Sequence, residues 1–239
     1  MKILAFETSA KSVSAAVVEN GAVLASAYQN TGLTHSVTLM PLVDSMLKNA
    51  GLTAKDMELI AVAAGPGSFT GLRIGVSAAK GLAWALELPC CGVSTLEAMA
   101  ENARAFEGTV ICAMDARRQQ IYNAVFDCHD GALERRCEDR AVALELLAGE
   151  LKNDKNRKIV VGDGAKLCYN YLLEQGIPCS MAPADELYQK AVGVGLAAER
   201  MAAAGRTVTA QELCPVYLRL SQAERERLAK GLPITLDAK

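Results

Sequence analysis

Thr109-Val110-Ile111-Cys112-Ala113-Met114-Asp115-Ala116-Arg117-Arg118 restates a pattern that the chain has already run once. Residues 109–114 read as a buried strand and Asp115 opens a polar turn. Residues 121–126 read as a second strand, and Asp130-Gly131 turns into a third over 132–137. The N-terminus has the same order. Residues 3–7 are an apolar run closed by Glu7, residues 13–18 are small and β-branched, and Asn20-Gly21 turns into a partner strand over 22–28. Helices follow in both copies. In the first, Thr34 can cap a helix whose Leu39, Val43, Met46 and Leu47 form one apolar stripe, stopped by Gly51. Pro41 inside that stripe implies a late start or a kink. Residues 59–64 read as a buried strand, 70–86 as a helix, Gly92-Val93 as a strand end and 95–106 as a helix. In the second copy, helices are expected near 141–153, 165–175 and 187–204, a strand over 158–161, and a charged tail helix from Ser221 to Lys230.

The match is one of structural order, not of close identity, and two unrelated hairpins would give the same pattern. A duplicated β-β-β-α-β-α unit is the build of the two-lobed actin-like ATPase (ASKHA, ribonuclease H-like) fold, an α/β class. The expected lobes are 1–107, joined by a C-terminal helix 220–232, and a smaller lobe 108–219.

Composition narrows the function classes. Of 239 residues, 51% are hydrophobic and 22% charged, which is enough apolar material for a buried core and too much for disorder. Lys plus Arg number 25 against 27 Asp plus Glu, so global charge does not wrap nucleic acid. No apolar run reaches the ~18–20 residues of a membrane span. Glu7 arrives too early for a secretory signal, and a cytoplasmic protein is expected. The eight cysteines form no Cys-x-x-Cys pair, and with two histidines a zinc cage is not expected. Buried reduced thiols are the expectation.

Gly65-Pro66-Gly67-Ser68-Phe69-Thr70-Gly71-Leu72-Arg73-Ile74-Gly75 lacks the Lys of a phosphate loop, and Thr70 stands where a dinucleotide fingerprint needs its third glycine. What remains is a strand, a Gly-rich turn and a helix N-terminus, which binds an anion or is a plain tight connection. Gly71, Gly75 and Ala79 recur on one helix face and allow close approach of another helix, internal or from another chain. Arg73, Arg117 and Arg118 can clamp a phosphate or a partner carboxylate, although an ion pair is the commoner use.

This segment, with the Ile3-Leu4-Ala5-Phe6-Glu7-Thr8-Ser9 start and the Pro215-Val216-Tyr217-Leu218-Arg219 end, resembles the TsaB (YeaZ) family of tRNA threonylcarbamoyladenosine biosynthesis over essentially the whole chain. The resemblance implies an actin-like fold and a non-catalytic partner of TsaD, the enzyme that transfers threonylcarbamoyl to adenosine 37 of tRNAs reading ANN codons. The ATPase TsaE joins that assembly, and tRNA is its substrate. In the family, two N-lobe helices pair with TsaD or, when the protein is alone, with a second copy. Here they are 34–50 and 70–86, and the small-residue stripe then has a partner outside the chain. The implied interface is His35, Ser36, Leu39, Val43, Met46, Phe69, Thr70, Leu72, Arg73, Gly75, Val76 and Ala79, with no catalytic residue. A bulky or charged residue at Gly75 or Val76 is expected to abolish association and leave the fold intact.

The TsaD paralogue carries His-x-x-x-His on its N-lobe helix. Here His35 is followed four residues on by Leu39, so no metal is expected, and His35 is read as a helix-start residue with a structural hydrogen bond. His129, beside a hairpin turn, is expected to be exposed. In an actin-like fold, phosphates sit between two hairpin turns. Those turns and their neighbours here are Glu7, Thr8, Ser9, Asp115 and Arg117, with Gly162 and Gly164 near a base or ribose, or in a tight connection. Ala10, Lys11 and Ser12 replace the usual glycine character, so the expectation is a vestigial cleft with weak ATP or ADP binding at most. The competing classes are an independent actin-like ATPase or small-molecule kinase and a metal-dependent peptidase.

Overall fold

The computed structural model describes residues 1–116, 120–220 and 227. The first copy comprises β1 (Lys2–Glu7), β2 (Val13–Glu19), β3 (Ala22–Gln29), α1 (His35–Asn49), β4 (Leu59–Gly65), α2 (Phe69–Leu86), β5 (Cys90–Ser94) and α3 (Thr95–Ala100). The second comprises β6 (Gly108–Asp115), β7 (Gln120–His129), β8 (Ala132–Arg135), β9 (Arg140–Ala143), α4 (Leu144–Leu151), β10 (Lys158–Val161), α5 (Ala165–Glu174) and β11 (Ser180–Met181), and α6 (Ala191–Ala203) follows.

One sheet runs β3-β2-β1-β4-β5 and the other β8-β7-β6-β10-β11, with β9 added on β7. In each, the three leading strands pair antiparallel and the next two pair parallel. Order and sense coincide, so the chain is two copies of one ribonuclease H-like unit and has the two-lobed actin-like fold. The hairpin turns repeat as well. Asn20 and Gly21 have φ of 51° and 76°, Asp130 and Gly131 of 50° and 71°, the left-handed pair that a two-residue turn between twisted strands demands.

Side-chain alternation along each central strand feeds two cores. Leu4 and Phe6 of β1 face a layer of α1 and α2, while Ile3 and Ala5 face α6. In β6, Ile111 and Ala113 face α4 and α5, while Val110, Cys112 and Met114 face α3. The layers are therefore α1 and α2, first sheet, α3 with α6, second sheet, α4 and α5. All eight cysteines are free thiols, and burial pushes Cys168 up to about 12, so it packs as a small hydrophobe.

Several expectations are corrected. Residues 191–203, expected within the second lobe, pack on the first sheet through Ala191, Val194, Ala197 and Ala198. The helix over 95–106 ends at Ala100 and tightens into a 3₁₀ turn, Glu101–Ala103. The region near 141 begins as β9, because the long β7 has a second stretch of edge to pair, Ile121 opposite Val142. Pro41 lies within a continuous α1 and causes no late start. The tail helix expected over 220–232 lies outside the described residues, apart from Leu220 and Arg227. Among the described residues, no helix is long and apolar enough to cross a membrane.

Candidate functional site

The Gly-rich turn and the first hairpin turn are built as one piece. Glu7 ends β1 with its side chain buried, and its Oε1 accepts from the Ser9 backbone N–H at 2.5 Å. The Thr8 hydroxyl donates to the Gly71 carbonyl at 2.8 Å, and the Ser68 N–H donates to the Ser9 carbonyl at 2.7 Å. Ser68 caps α2 by accepting from the Gly71 N–H at 3.3 Å. The glycines are there for contact. A Cβ on Gly71 would lie 2.1 Å from the Thr8 carbonyl oxygen, one on Gly67 2.6 Å from the Ser9 oxygen, and one on Gly75 2.3 Å from Thr8 Oγ1. This corrects the expectation of an external helix for the stripe: Gly71 and Gly75 face the β1–β2 turn and Val62 of β4.

Between the lobes lies a cleft of about 430 Å³ lined by Ser9, Lys11, Ser68, Asp115, Tyr122, Asp163, Tyr217 and Arg219, among others. Of the residues expected there, Ser9 and Asp115 line it. Glu7 and Thr8 lie behind the turn. Gly162 and Gly164 press on β6, where added Cβ atoms would meet the Ala113 carbonyl oxygen at 2.1 Å and the Asp115 nitrogen at 2.8 Å, so they make a tight connection. Arg117 and Arg118 lie outside the described residues. Burial pushes the Glu7 carboxyl up to about 7, with nearby Asp163 adding to the rise. Asp163 is raised by its own burial and accepts from Gln189 Nε2 at 3.0 Å. The lining from Val216 to Leu220 was not among the residues expected in the cleft. This strap is pinned where the Val216 N–H donates to the Ala64 carbonyl at 2.7 Å, and Arg219 reaches across to the Ala116 carbonyl. Among the described residues, no three His, Cys, Asp or Glu side chains gather as a metal site.

The α1–α2 layer divides the expected interface in two. Leu39, Val43, Met46, Leu72, Gly75, Val76 and Ala79 are buried, and five of them (Leu39, Val43, Met46, Val76 and Ala79) belong to the core against the first sheet. Each large apolar side chain of that set contributes ~1.5–3 kcal/mol by burial, so they hold the lobe together. Ser36, Thr70 and Arg73 are exposed, and His35 and Phe69 half-buried. His35 Nε2 donates to the Ala10 carbonyl at 2.8 Å, the structural bond expected of it. His129 is exposed, 3.5 Å from Glu107. The outward face carries residues that sequence reasoning missed: Val37 (70% exposed), Met40 (41%) and Trp84 (72%). A groove of about 600 Å³ runs between the helices, walled by His35, Met40, Phe69, Arg73, Ile74, Ser77 and Ala78 among others.

Comparison with known proteins agrees with this geometry. A family model described as TsaD, tRNA N6-adenosine threonylcarbamoyltransferase, matches residues 29–226. The tRNA threonylcarbamoyladenosine biosynthesis protein TsaB of Bacillus subtilis (strain 168) is 35% identical over 233 residues, 94% of this chain and 96% of the relative. The protein of the same name from Escherichia coli (strain K12) is 32% identical over 222 residues, 92% of this chain and 95% of the relative. A solved structure of YeaZ from Pseudomonas aeruginosa superposes with a TM-score of 0.77 at 28% identity, covering 91% of this chain and 99% of that one. Two duplicated lobes, a Gly-rich turn seated on the first hairpin and full-length similarity converge: the chain belongs to the TsaB (YeaZ) family.

Proposed function

We propose that the chain serves tRNA threonylcarbamoyladenosine biosynthesis as a non-catalytic subunit. It docks a TsaD-type transferase on the outward face of α1 and α2, in a cytoplasmic assembly that TsaE joins and whose substrate is tRNA. One observation carries the docking role: an apolar groove lined by Met40, Phe69, Ile74 and Ala78 runs along two neighbouring helices of the same lobe. Small exposed apolar patches are ordinary on a protein surface, but a continuous helical groove is a shape that takes a partner helix.

The cleft supports a non-catalytic role. In its first turn the Ser9 carbonyl is engaged by the Ser68 N–H, and the Glu7 carboxyl is buried behind it. Among the described residues, Asp163 and Asp115 line the space beside Lys11 and Arg219, and Arg219 is already engaged by the Ala116 carbonyl. This is a poor receptor for a polyphosphate. Calorimetry with Mg-ATP is expected to show no micromolar binding, and tight binding with turnover would restore the kinase reading.

The docking test uses exposed positions, because Val76 is core and Val76→Glu would unfold the lobe. Met40→Glu and Ser77→Arg are expected to abolish the complex with the TsaD-type subunit in light scattering while the unfolding temperature holds. Undiminished complex formation by both variants would sink the assignment. A second copy is expected to use the same face, so the transferase should dissociate any homodimer.

A further inference from the structure

Arg73 stands exposed on α2 at the edge of the groove and is held from behind. Its guanidinium carbon lies 4.0 Å from the centroid of the Phe69 ring. Its Nε donates to the Tyr217 hydroxyl at 3.1 Å. Tyr217 in turn stacks on Phe69, with centroids 4.6 Å apart and planes at 26°. Among the described residues, no carboxylate pairs with Arg73, and neither Nη group makes a hydrogen bond.

Elsewhere the same assembly is complete. Arg135 lies 4.7 Å over the Phe126 ring and pairs with Asp139 at 2.7 Å and Glu97 at 3.2 Å. Arg73 has the aromatic support and, among the described residues, lacks the acid. The only other charges on the outward face of α1, Asp44 and Lys48, neutralise each other at 2.7 Å. Among the described residues, the groove therefore presents an oriented guanidinium with no acid partner beside an apolar wall of Met40, Ile74 and Ala78.

We infer that Arg73 is a preset receptor for one carboxylate carried on an apolar helix of the docking subunit, an inference that rests on the docking role proposed for this face. A guanidinium offers a planar fork that matches a carboxylate with two parallel bonds. Because stacking already restrains the side chain, less freedom is lost when the partner arrives. The apolar wall excludes water once covered, and the pair strengthens as the local dielectric falls. An RNA backbone fits less well, since phosphate binding draws on several cations and the described lining of this groove holds one Lys or Arg.

The test measures affinity for the TsaD-type transferase of the same genome, by calorimetry at low and high salt, with wild type, Arg73→Gln, Arg73→Lys and Tyr217→Phe. Arg73→Gln is expected to weaken binding about 30-fold or more and to reduce its salt dependence. Arg73→Lys recovers part of the loss, because an ammonium lacks the fork. Tyr217→Phe keeps the ring, loses the hydroxyl and weakens binding a few-fold. Unfolding temperatures stay at the wild-type value in all three. In the charge swap, Arg73→Glu recovers affinity when one acid on the transferase's docking helices is replaced by Arg. A wild-type protein that does not bind the transferase overturns the docking role and the inference with it. Wild-type binding with Arg73→Gln within about twofold overturns the receptor alone and leaves docking standing. Unchanged transferase affinity with reduced tRNA retention by the assembled complex assigns Arg73 to RNA phosphate and also overturns it.

Discussion

Glu7 ends β1 with its carboxyl wholly inside the protein, and burial pushes it from the usual 4.5 to about 7. Between those values the unfolded chain has released the proton and the folded one keeps it, so stability falls as pH rises across that window. Below it both states are protonated, and above about 7 the loss is complete. The full effect is about 3 kcal/mol at most. Glu7→Gln is expected to remove that fall in denaturant-measured stability between those limits. A variant that keeps the wild-type slope would rule Glu7 out as its source. Gly71 gives a second prediction at this scale. Its missing Cβ would sit 2.1 Å from backbone oxygen, so Gly71→Ala is expected to cost about 1–3 kcal/mol and lower the unfolding temperature. The acid at the strand end and the glycine spacing were legible in the chain. What the glycines touch was not, because Thr8 is more than sixty residues away in sequence.

α1 and α2 show the limit of pattern reading for an element. The stripe Leu39, Val43 and Met46 was read correctly as apolar, and an apolar stripe can face a core or a partner. Here the first sheet takes it. The face proposed for docking is the opposite side, where Val37 and Met40 are exposed among polar residues and give no periodic signal. Pro41 lies on that side, exposed, within an unbroken helix. It has no N–H for the Val37 carbonyl, and Val37 itself is exposed. Pro41→Ala is expected to raise stability by about 1–2 kcal/mol, the helix gain being partly offset by a freer unfolded chain. An unfolding temperature that does not rise would mean the packing around Pro41 depends on its ring.

The two lobes are tied across their middle layer by ion pairs. Glu101, buried at the end of α3, is met by Arg200 of α6 and by Arg104 at 3.4 Å. Arg200 also approaches Glu97 at 3.5 Å, and Glu97 pairs with Arg135 at the end of β8. The chain of charges runs from the helix packed on the first sheet to an edge of the second. Arg200→Met is expected to cost about 2 kcal/mol in urea unfolding, because it leaves a buried carboxylate with only Arg104. Arg200→Met combined with Glu101→Met should recover most of that loss, since neither charge is then stranded. A double variant no better than the single would show that the arginine stem, not its charge, holds the lobes. That α6 belongs to this seam was invisible in sequence, where it follows the second copy directly.

The order of elements, the repeat, the hairpin turns and the family were written in the chain, because each depends on neighbours in sequence: alternation along a strand, Asn-Gly and Asp-Gly at the turns, a glycine every fourth position. The cleft lining, the return of α6 to the first sheet and the side of α1 and α2 that faces outward depend on residues far apart in sequence. Local patterns carry no record of which surfaces meet. Those came from packing two sheets around one pair of helices, which buried one apolar face of each outer helix and left Met40, Arg73 and Trp84 in solvent.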